Sequence, residues 1–140
     1  MMRIKFDVVD ETAKLKLGSG DNVDAMFKKA LLRTALFGKL MIQDRMDKGV
    51  SYKGGIFKKY SEKYRKFRLA AGRGQKPDLQ FTRQMRSGMV VNATSNKAKI
   101  FFSRPDDAKK AFKNEKTRPF FGFSNTELDK LRDKLIENLK

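Results

Sequence analysis

The sequence predicts a single domain of the α+β class, and three observations lead to that expectation. Apolar residues alternate near the N-terminus and again over residues 89–103, which indicates antiparallel strands, whereas residues 23–46 have helical spacing. The elements do not follow the regular strand–helix alternation of a parallel α/β sheet. A chain of 140 residues can form one core but not two. We therefore expect one domain over 1–140, in which 48–76 form a protruding basic arm or insertion.

The first two predicted elements are an N-terminal strand and a long α-helix. Ile4, Phe6 and Val8 alternate with charged residues, which is typical of a half-buried strand. After a glycine-rich loop, apolar side chains recur every three or four residues and predict a helix over 23–46 that ends near Gly49. The length of this helix makes it the expected centre of the fold.

The C-terminal half predicts an antiparallel β-hairpin followed by two helices. Residues 89–94 and 98–103 alternate and flank a short polar turn. Residues 103–106 have the sequence Ser-Arg-Pro-Asp, which is typical of a helix start with proline in the first turn. Residues 124–127 form a capping-box pattern ahead of an amphipathic helix that closes the chain.

Composition excludes several kinds of chemistry. The sequence contains no cysteine and no histidine, so it has no thiol nucleophile, no imidazole or thiolate metal ligand and no Ser-His-Asp triad. Asp78, Asp107 and Lys109 superficially fit a metal-dependent nuclease, but Asp107 falls at a helix start, where the helix dipole explains a carboxylate. No P-loop is present. We expect no enzymatic activity, no cofactor, no metal and no membrane span.

The positive charge is concentrated in one segment. Lys and Arg number 33 against 16 Asp and Glu, which gives a net charge of +17. Residues 1–47 are nearly neutral, whereas residues 48–76 combine ten basic residues with the single acidic residue Glu62. We expect a basic surface for an acidic partner or DNA, made of Lys58, Lys59, Lys63, Arg65, Lys66, Arg68, Arg73 and Lys76.

Four aromatic residues of the same segment have helical spacing. Phe57, Tyr60, Tyr64 and Phe67 would share one face of a short helix. Rings interleaved with Lys and Arg can stack on nucleic-acid bases, or they can pack inward or against a neighbouring subunit while the lysines face solvent. A membrane-surface helix is disfavoured by Glu62 and the flanking glycines. We assign the four aromatic residues to a contact with an adjacent subunit or connector.

Residues 118–124 are the most distinctive string, with the sequence Arg-Pro-Phe-Phe-Gly-Phe-Ser. Three phenylalanines in four positions are more than a short turn is expected to bury, so at least one is a candidate for a contact between chains. The alternative is that all three fill a local pocket between helices. We assign Arg118, Phe120, Phe121 and Phe123 to a subunit interface, with Arg118 as its polar anchor.

The motifs occur in an order that resembles a known family. After the long helix come residues 55–61, Gly-Ile-Phe-Lys-Lys-Tyr-Ser, then residues 79–87, the hairpin and the 118–124 string. In this order they resemble the phage virion-morphogenesis and tail-completion proteins, a group that includes the Mu G-like proteins. The 118–124 string is similar to the family's R-P-F/W-x-G-L/F-S ending. Arg83 stands where the family commonly has glycine, and the usual proline-rich run before Gly55 is missing.

The resemblance implies a structural virion protein of a tailed bacteriophage. Such a protein would be assembled in the host bacterial cytoplasm and would form a homo-oligomeric ring, a hexamer or a dodecamer, at the head–tail junction of the virion. As a neck, tail-completion or tail-terminator protein it would join the tail to the DNA-filled capsid. Its partners would be the portal or connector, the tail-tube or sheath proteins, and genomic double-stranded DNA in the lumen. The alternatives are a basic nucleic-acid-binding protein and a tail-assembly factor absent from the virion.

Overall fold

The structure, a computed structural model, describes residues 3–7, 21–74, 77 and 84–140. Lys76, Asp78 and Val8, which enter the predictions above, lie outside the described residues. The described elements confirm the α+β class, with a strand, a long helix, a hairpin and C-terminal helices in the expected order. They are β1 (Arg3–Asp7), α1 (Asp21–Lys48), α2 (Glu62–Ala70), α3 (Gln84–Ser87), β2 (Met89–Ala93), β3 (Lys97–Phe102), α4 (Pro105–Thr117) and α5 (Asn125–Asn138).

Helix α1 has the predicted position and end. Its 28 residues give a length of about 42 Å, since each residue of an α-helix adds about 1.5 Å. Gly49 follows it with a φ of 69°, a conformation that favours glycine, and the Val50 N–H donates to the Arg45 carbonyl oxygen at 3.0 Å. These contacts end the helix where the periodicity ends.

The three strands form one antiparallel sheet in the order β1-β3-β2. The hairpin pairs Met89 with Phe102 and Val91 with Ile100, and β1 adds to the other side of β3 with Ile4 opposite Ile100. Along β3, buried residues alternate with more exposed ones, so that Ala98, Ile100 and Phe102 face the core. The period-two pattern of the sequence therefore marked the correct face of the hairpin.

The hydrophobic core lies where α1 meets the sheet. Helix α1 packs against β2 and β3 and also against α5, while α4 contacts β3. The apolar side chains of α1 are shared between these neighbours because buried positions recur along its length. The main core cluster includes Leu31, Ala35, Ile42, Met46, Phe57, Met85, Met89, Ile100, Phe102, Ala111, Phe120 and Phe121.

The sequence predicted the contacts at the start of α5, but it predicted only some of those at the start of α4. The Ser124 hydroxyl accepts from the Glu127 N–H at 3.2 Å and the Glu127 carboxylate accepts from the Ser124 N–H at 3.0 Å, which confirms the capping box. At the start of α4, Asp107 is buried and accepts a hydrogen bond from Nε of Arg104 at 2.5 Å. This ion pair stabilises the Asp107 carboxylate in addition to the helix dipole.

The basic segment 48–76 has two parts with different packing. Its first part is fixed to the body, because Val50 and Ile56 form a β-bridge and the side chain of Phe57 is buried in the core cluster. Its second part is α2, which has few contacts with the other helices and strands. Only α2 therefore fits the expected protruding arm.

Candidate interaction site

The turn formed by residues 118–124 is held in place by a buried arginine of α1. Nε of Arg45 donates to Oε2 of Glu127 at 2.9 Å, and its terminal nitrogens donate to the carbonyl oxygens of Phe120, at 3.1 Å, and Gly122. The guanidinium lies 5.6 Å from the centre of the Tyr52 ring. One cation therefore connects α1, the turn and the first turn of α5.

The carboxylate of Glu115, which precedes the turn in the sequence, also holds the turn in place. Oε2 of Glu115 accepts from the backbone N–H groups of Phe120 and Phe121, both at 3.0 Å, and Oε1 accepts from the Tyr52 hydroxyl at 3.0 Å. Burial raises the pKa of Tyr52, the hydrogen bond and negative charge of Glu115 raise it further, and the Arg45 charge partly opposes them. Glu115 and Arg45 together satisfy the backbone of the turn.

The packing of the turn corrects the interface prediction for two phenylalanines. Phe120 is 0% exposed and Phe121 is also buried, and both contact the Phe102 ring, at centroid distances of 6.4 and 5.0 Å. Their side chains cannot reach another subunit, so the assignment of these two residues to an interface is wrong. Phe123 is half-buried against the core near Gly38, where an added Cβ would lie 3.0 Å from its Cζ.

Gly122 is required at its position by the Tyr52 ring. A Cβ on residue 122 would lie 2.5–2.8 Å from ring carbons of Tyr52, closer than van der Waals contact permits. The glycine of the 118–124 string therefore lets the turn approach the basic segment. This contact gives a physical reason for the most distinctive pattern in the sequence.

Arg118 connects the turn to the start of the basic segment. Its Nε donates to the Lys58 carbonyl oxygen at 2.7 Å and one terminal nitrogen donates to the Lys59 carbonyl oxygen at 3.1 Å. Its guanidinium also lies 4.6 Å from the centre of the Tyr60 ring. Within the structure Arg118 thus anchors the chain's own basic segment, whereas its role as the polar anchor of a subunit interface stays a prediction.

The four aromatic residues of the segment do not share a helix face. Helix α2 begins at Glu62 after the N-cap Ser61, whose hydroxyl accepts from the Tyr64 N–H, so Phe57 and Tyr60 precede the helix. The predicted four-residue aromatic face is wrong for this reason. Phe57 is a core residue and is excluded from a subunit contact.

The remaining three rings form a continuous row that leads from the body to the solvent. Tyr60 and Tyr64 contact edge to face at 4.9 Å, and Tyr64 stacks with Phe67 at 6.1 Å between ring centroids. Tyr64 is 36% exposed and Phe67 is 57% exposed. Two aromatic side chains of the predicted site are therefore accessible to a partner.

Arg68 is buried, which contradicts its assignment to the basic surface. Its side chain is 1% exposed, its Nε donates to the Gly74 carbonyl oxygen at 2.8 Å, and its guanidinium lies 5.0 Å from the Tyr60 ring and 6.0 Å from the Tyr64 ring. The chain folds back after α2 and brings Gly74 over this side chain. Arg68 therefore supports the aromatic row from beneath.

Most of the other predicted basic residues face solvent. Lys66 is exposed and pairs with Glu62 at 3.4 Å, and Arg65 is half-buried. We call the accessible face formed by Lys63, Tyr64, Lys66 and Phe67 the α2 surface. The further exposed basic residues of the prediction are Lys58, Lys59 and Arg73.

Sequence reasoning missed three residues that position the site, namely Arg45, Tyr52 and Glu115. A signal existed for Arg45, because it follows the buried Ile42 by three positions and so falls on the apolar side of α1. A charge at such a position indicates a buried partner. Tyr52 and Glu115 had no comparable signal, since their contacts join segments 63 residues apart.

Comparison with known proteins found no matching family model, no matching curated protein and no matching solved structure. Over the part of the chain that the structure describes, no three acidic side chains are grouped so that they could hold a metal ion. Among the same residues, no helix has both the length and the apolar character to cross a bilayer. The candidate site is therefore interpreted from its own geometry.

Proposed function

We propose that this chain is a structural subunit of a tailed-phage virion, that it forms a ring at the head–tail junction, and that the α2 surface contacts the adjacent subunit or connector. The order and sequence of the motifs support this class of protein through the resemblance described above. The structure adds a physical reason for the two strings that carry the resemblance, because Arg118 of the 118–124 string hydrogen-bonds the backbone of Lys58 and Lys59 in the 55–61 string.

One observation carries the proposal, namely the exposure of Tyr64 and Phe67 on a helix with few contacts of its own. Aromatic side chains are enriched at the centres of protein interfaces, where they lose water and fill pockets. On this chain they stand among lysines, so we expect acidic residues around the pocket that receives them. A helix that makes few contacts with the other elements leaves its exposed side chains accessible to a neighbour, and repeated head-to-tail contacts of this kind close into a ring.

The test of the ring uses the full chain and a pair of matched variants. We expect the wild-type chain to form particles of ring size, measured by light scattering after size exclusion and by negative-stain microscopy. Phe67→Ser should abolish these particles while the far-ultraviolet circular dichroism spectrum stays unchanged, since Phe67 is mostly exposed and its loss leaves the fold of the subunit intact. The control is Phe112→Ser on α4, which removes an equally exposed ring that also lies beside a lysine, Lys116 at 4.7 Å.

Each outcome of the ring test either supports or contradicts the proposal. Loss of the ring in Phe67→Ser alone supports the proposal. A wild-type chain that stays smaller than a ring at all concentrations, or rings that survive Phe67→Ser, would show that the α2 surface does not build one.

A second candidate, a nucleic-acid-binding protein, is favoured by one further observation. The stacked pair Tyr64 and Phe67 lies beside Lys63 and Lys66, which is the combination that stacks bases and neutralises phosphates. Fluorescence anisotropy with single-stranded and duplex DNA over a range of salt concentrations separates the candidates. Submicromolar affinity that falls steeply with salt, and that Phe67→Ser weakens for single strands, supports nucleic-acid binding.

A further inference from the structure

Helix α4 carries a surface of a single charge sign that the proposed function does not use. Asp107 and Ala111 mark its buried side, and the opposite side exposes Lys109, Lys113 and Lys116. The spacings of four and three residues place these lysines in one stripe along the helix. The stripe is about 10 Å long, because each helical residue adds about 1.5 Å.

The chain brings further lysines to the C-terminal end of α4. Arg118, the residue at which the helix ends, donates to the carbonyl oxygens of Lys58 and Lys59. The Lys53 ammonium lies 5.9 Å from the centre of the Tyr52 ring, whose hydroxyl donates to a carboxylate of α4. The side chains of these three lysines are exposed. We call the whole surface the lysine band, and its residues are Lys53, Lys58, Lys59, Lys109, Lys113 and Lys116.

The charge of the lysine band is not neutralised by the chain itself. Within the part of the chain that the structure describes, none of the ion pairs includes one of its six lysines. Asp106 is the one exposed carboxylate of α4, and Lys110, which is exposed beside the band, offsets it. Glu115 is occupied by two backbone N–H groups and a hydroxyl. On α5, by contrast, two cations pair with carboxylates of their own helix.

We propose that the lysine band binds the phosphate backbone of duplex DNA without reading its sequence. A surface of six unpaired cations is complementary to a polyanion. Ammonium groups on flexible side chains bind phosphates as point charges, and phosphate contacts carry no sequence information.

The composition of the band favours phosphates over an acidic protein. Lysine is depleted from protein–protein interfaces, where aromatic residues and arginine are enriched, and all six side chains of the band are lysines. The α2 surface differs, because exposed aromatic rings stand among its lysines. Duplex DNA is favoured over a single strand because each phosphate contact releases more counterions from the duplex.

The test is fluorescence anisotropy of a short labelled duplex with the full chain over a range of sodium chloride concentrations. We expect the logarithm of the binding constant to fall with the logarithm of salt concentration with a slope of about −4 or steeper, since each phosphate contact contributes about −0.9. The triple variant Lys109→Gln, Lys113→Gln and Lys116→Gln should weaken binding at least about tenfold near 0.1 M salt and reduce the slope by about 2–3.

A matched control separates the band from the overall charge of +17. Lys28→Gln, Lys29→Gln and Lys130→Gln remove three exposed lysines of α1 and α5, and so the same charge, from outside the band. This control should change the slope by less than about 1. Equal losses in the control and the α4 variant would show attraction to the whole cationic chain and would overturn the proposal. Circular dichroism of both variants checks that the fold is intact.

A second triple variant tests whether the two halves of the band act together. Lys53→Gln, Lys58→Gln and Lys59→Gln should weaken duplex binding about as much as the α4 variant, and an unchanged affinity would overturn the band as one site. Tighter binding of poly-L-glutamate than of the duplex would identify an acidic protein as the occupant, and tighter binding of a single strand would also contradict the proposal. The ring test changes Phe67, which lies outside the band, so the failure of one proposal is distinguishable from the failure of the other.

Discussion

At the scale of single residues, the candidate site depends on a cation at a core position. Arg45 lies on the side of α1 where the other side chains are apolar. Its hydrogen-bond partners are Glu127 and two carbonyl oxygens of the 118–124 turn. A buried carbonyl that loses its donor keeps the full penalty of desolvation. The fold of the turn therefore depends on this side chain as well as on the buried Phe120 and Phe121.

Replacement of Arg45 by methionine should destabilise the protein strongly. The variant leaves Oε2 of Glu127 and two carbonyl groups without the Arg45 donor, and removal of one partner from a buried ion pair reduces the free energy of unfolding by about 3–5 kcal/mol. Urea unfolding followed by circular dichroism measures this loss. Arg33→Met on the exposed side of α1 is the control and should change stability by less than about 0.5 kcal/mol. Equal effects of the two variants would contradict the role assigned to Arg45.

Tyr52 should give the stability a characteristic dependence on pH. Its pKa in the folded state is raised above the ordinary 10.0, first by burial and then by Glu115. A group with a raised folded pKa contributes stability that is complete below the unfolded pKa and is lost as the pH rises through the folded pKa. Wild type should therefore exceed Tyr52→Phe by about 1 kcal/mol near neutral pH, and the difference should shrink above pH 10.

The measurement is urea unfolding of both proteins at several pH values from neutral to strongly alkaline. Comparison with Tyr52→Phe removes the contributions of all the other side chains, which the two proteins share. A difference in stability that stays constant with pH would show that the Tyr52 hydroxyl is not linked to folding.

At the scale of elements, the sequence predicted well wherever a local repeat decided the structure. The ends of α1, the two strands of the hairpin and the capping box of α5 all follow from periods of 3.6 or 2 and from the residues that interrupt them. The sequence did not predict that β1 would pair with β3, because that contact joins residues almost a hundred positions apart. Local patterns contain no information on such pairing.

The basic segment shows how a correct spacing can mislead. Phe57, Tyr60, Tyr64 and Phe67 have helical spacing, yet only the last two lie in α2. Gly54 and Gly55 have positive φ values and turn the chain so that Phe57 enters the core. The aromatic side chains thus lie in two different environments, and a helical projection of the sequence does not distinguish between them.

The phenylalanines of the 118–124 turn were misassigned for a related reason. A short turn alone cannot bury them, but Phe102 of the sheet covers Phe120 and Phe121, and α1 supplies the cation that fixes their backbone. These contacts depend on the tertiary fold. The same fold leaves Tyr64 and Phe67 exposed, so of the two segments that the sequence assigned to an interface, α2 is the one that keeps exposed aromatic side chains.

At the scale of the whole molecule, the excess positive charge is distributed unevenly along the chain. The α2 surface lies in the segment where basic residues are most concentrated, whereas residues 1–47 are nearly neutral. The α2 surface therefore suits a partner with an acidic surface or with phosphates.

The same distribution predicts how salt acts on stability. Self-repulsion of a chain with a charge of +17 destabilises the compact state, and salt screens it, since the Debye length falls to about 10 Å near 0.1 M. The ion pair of Arg45 and Glu127 is largely buried and is screened much less. We therefore expect the melting temperature of the dilute protein to rise with sodium chloride concentration.

Lys59→Gln with Lys63→Gln should raise the melting temperature at low salt and reduce this dependence, because both lysines are exposed within the basic segment. A melting temperature that falls with salt would instead show that attraction between exposed ion pairs outweighs the repulsion.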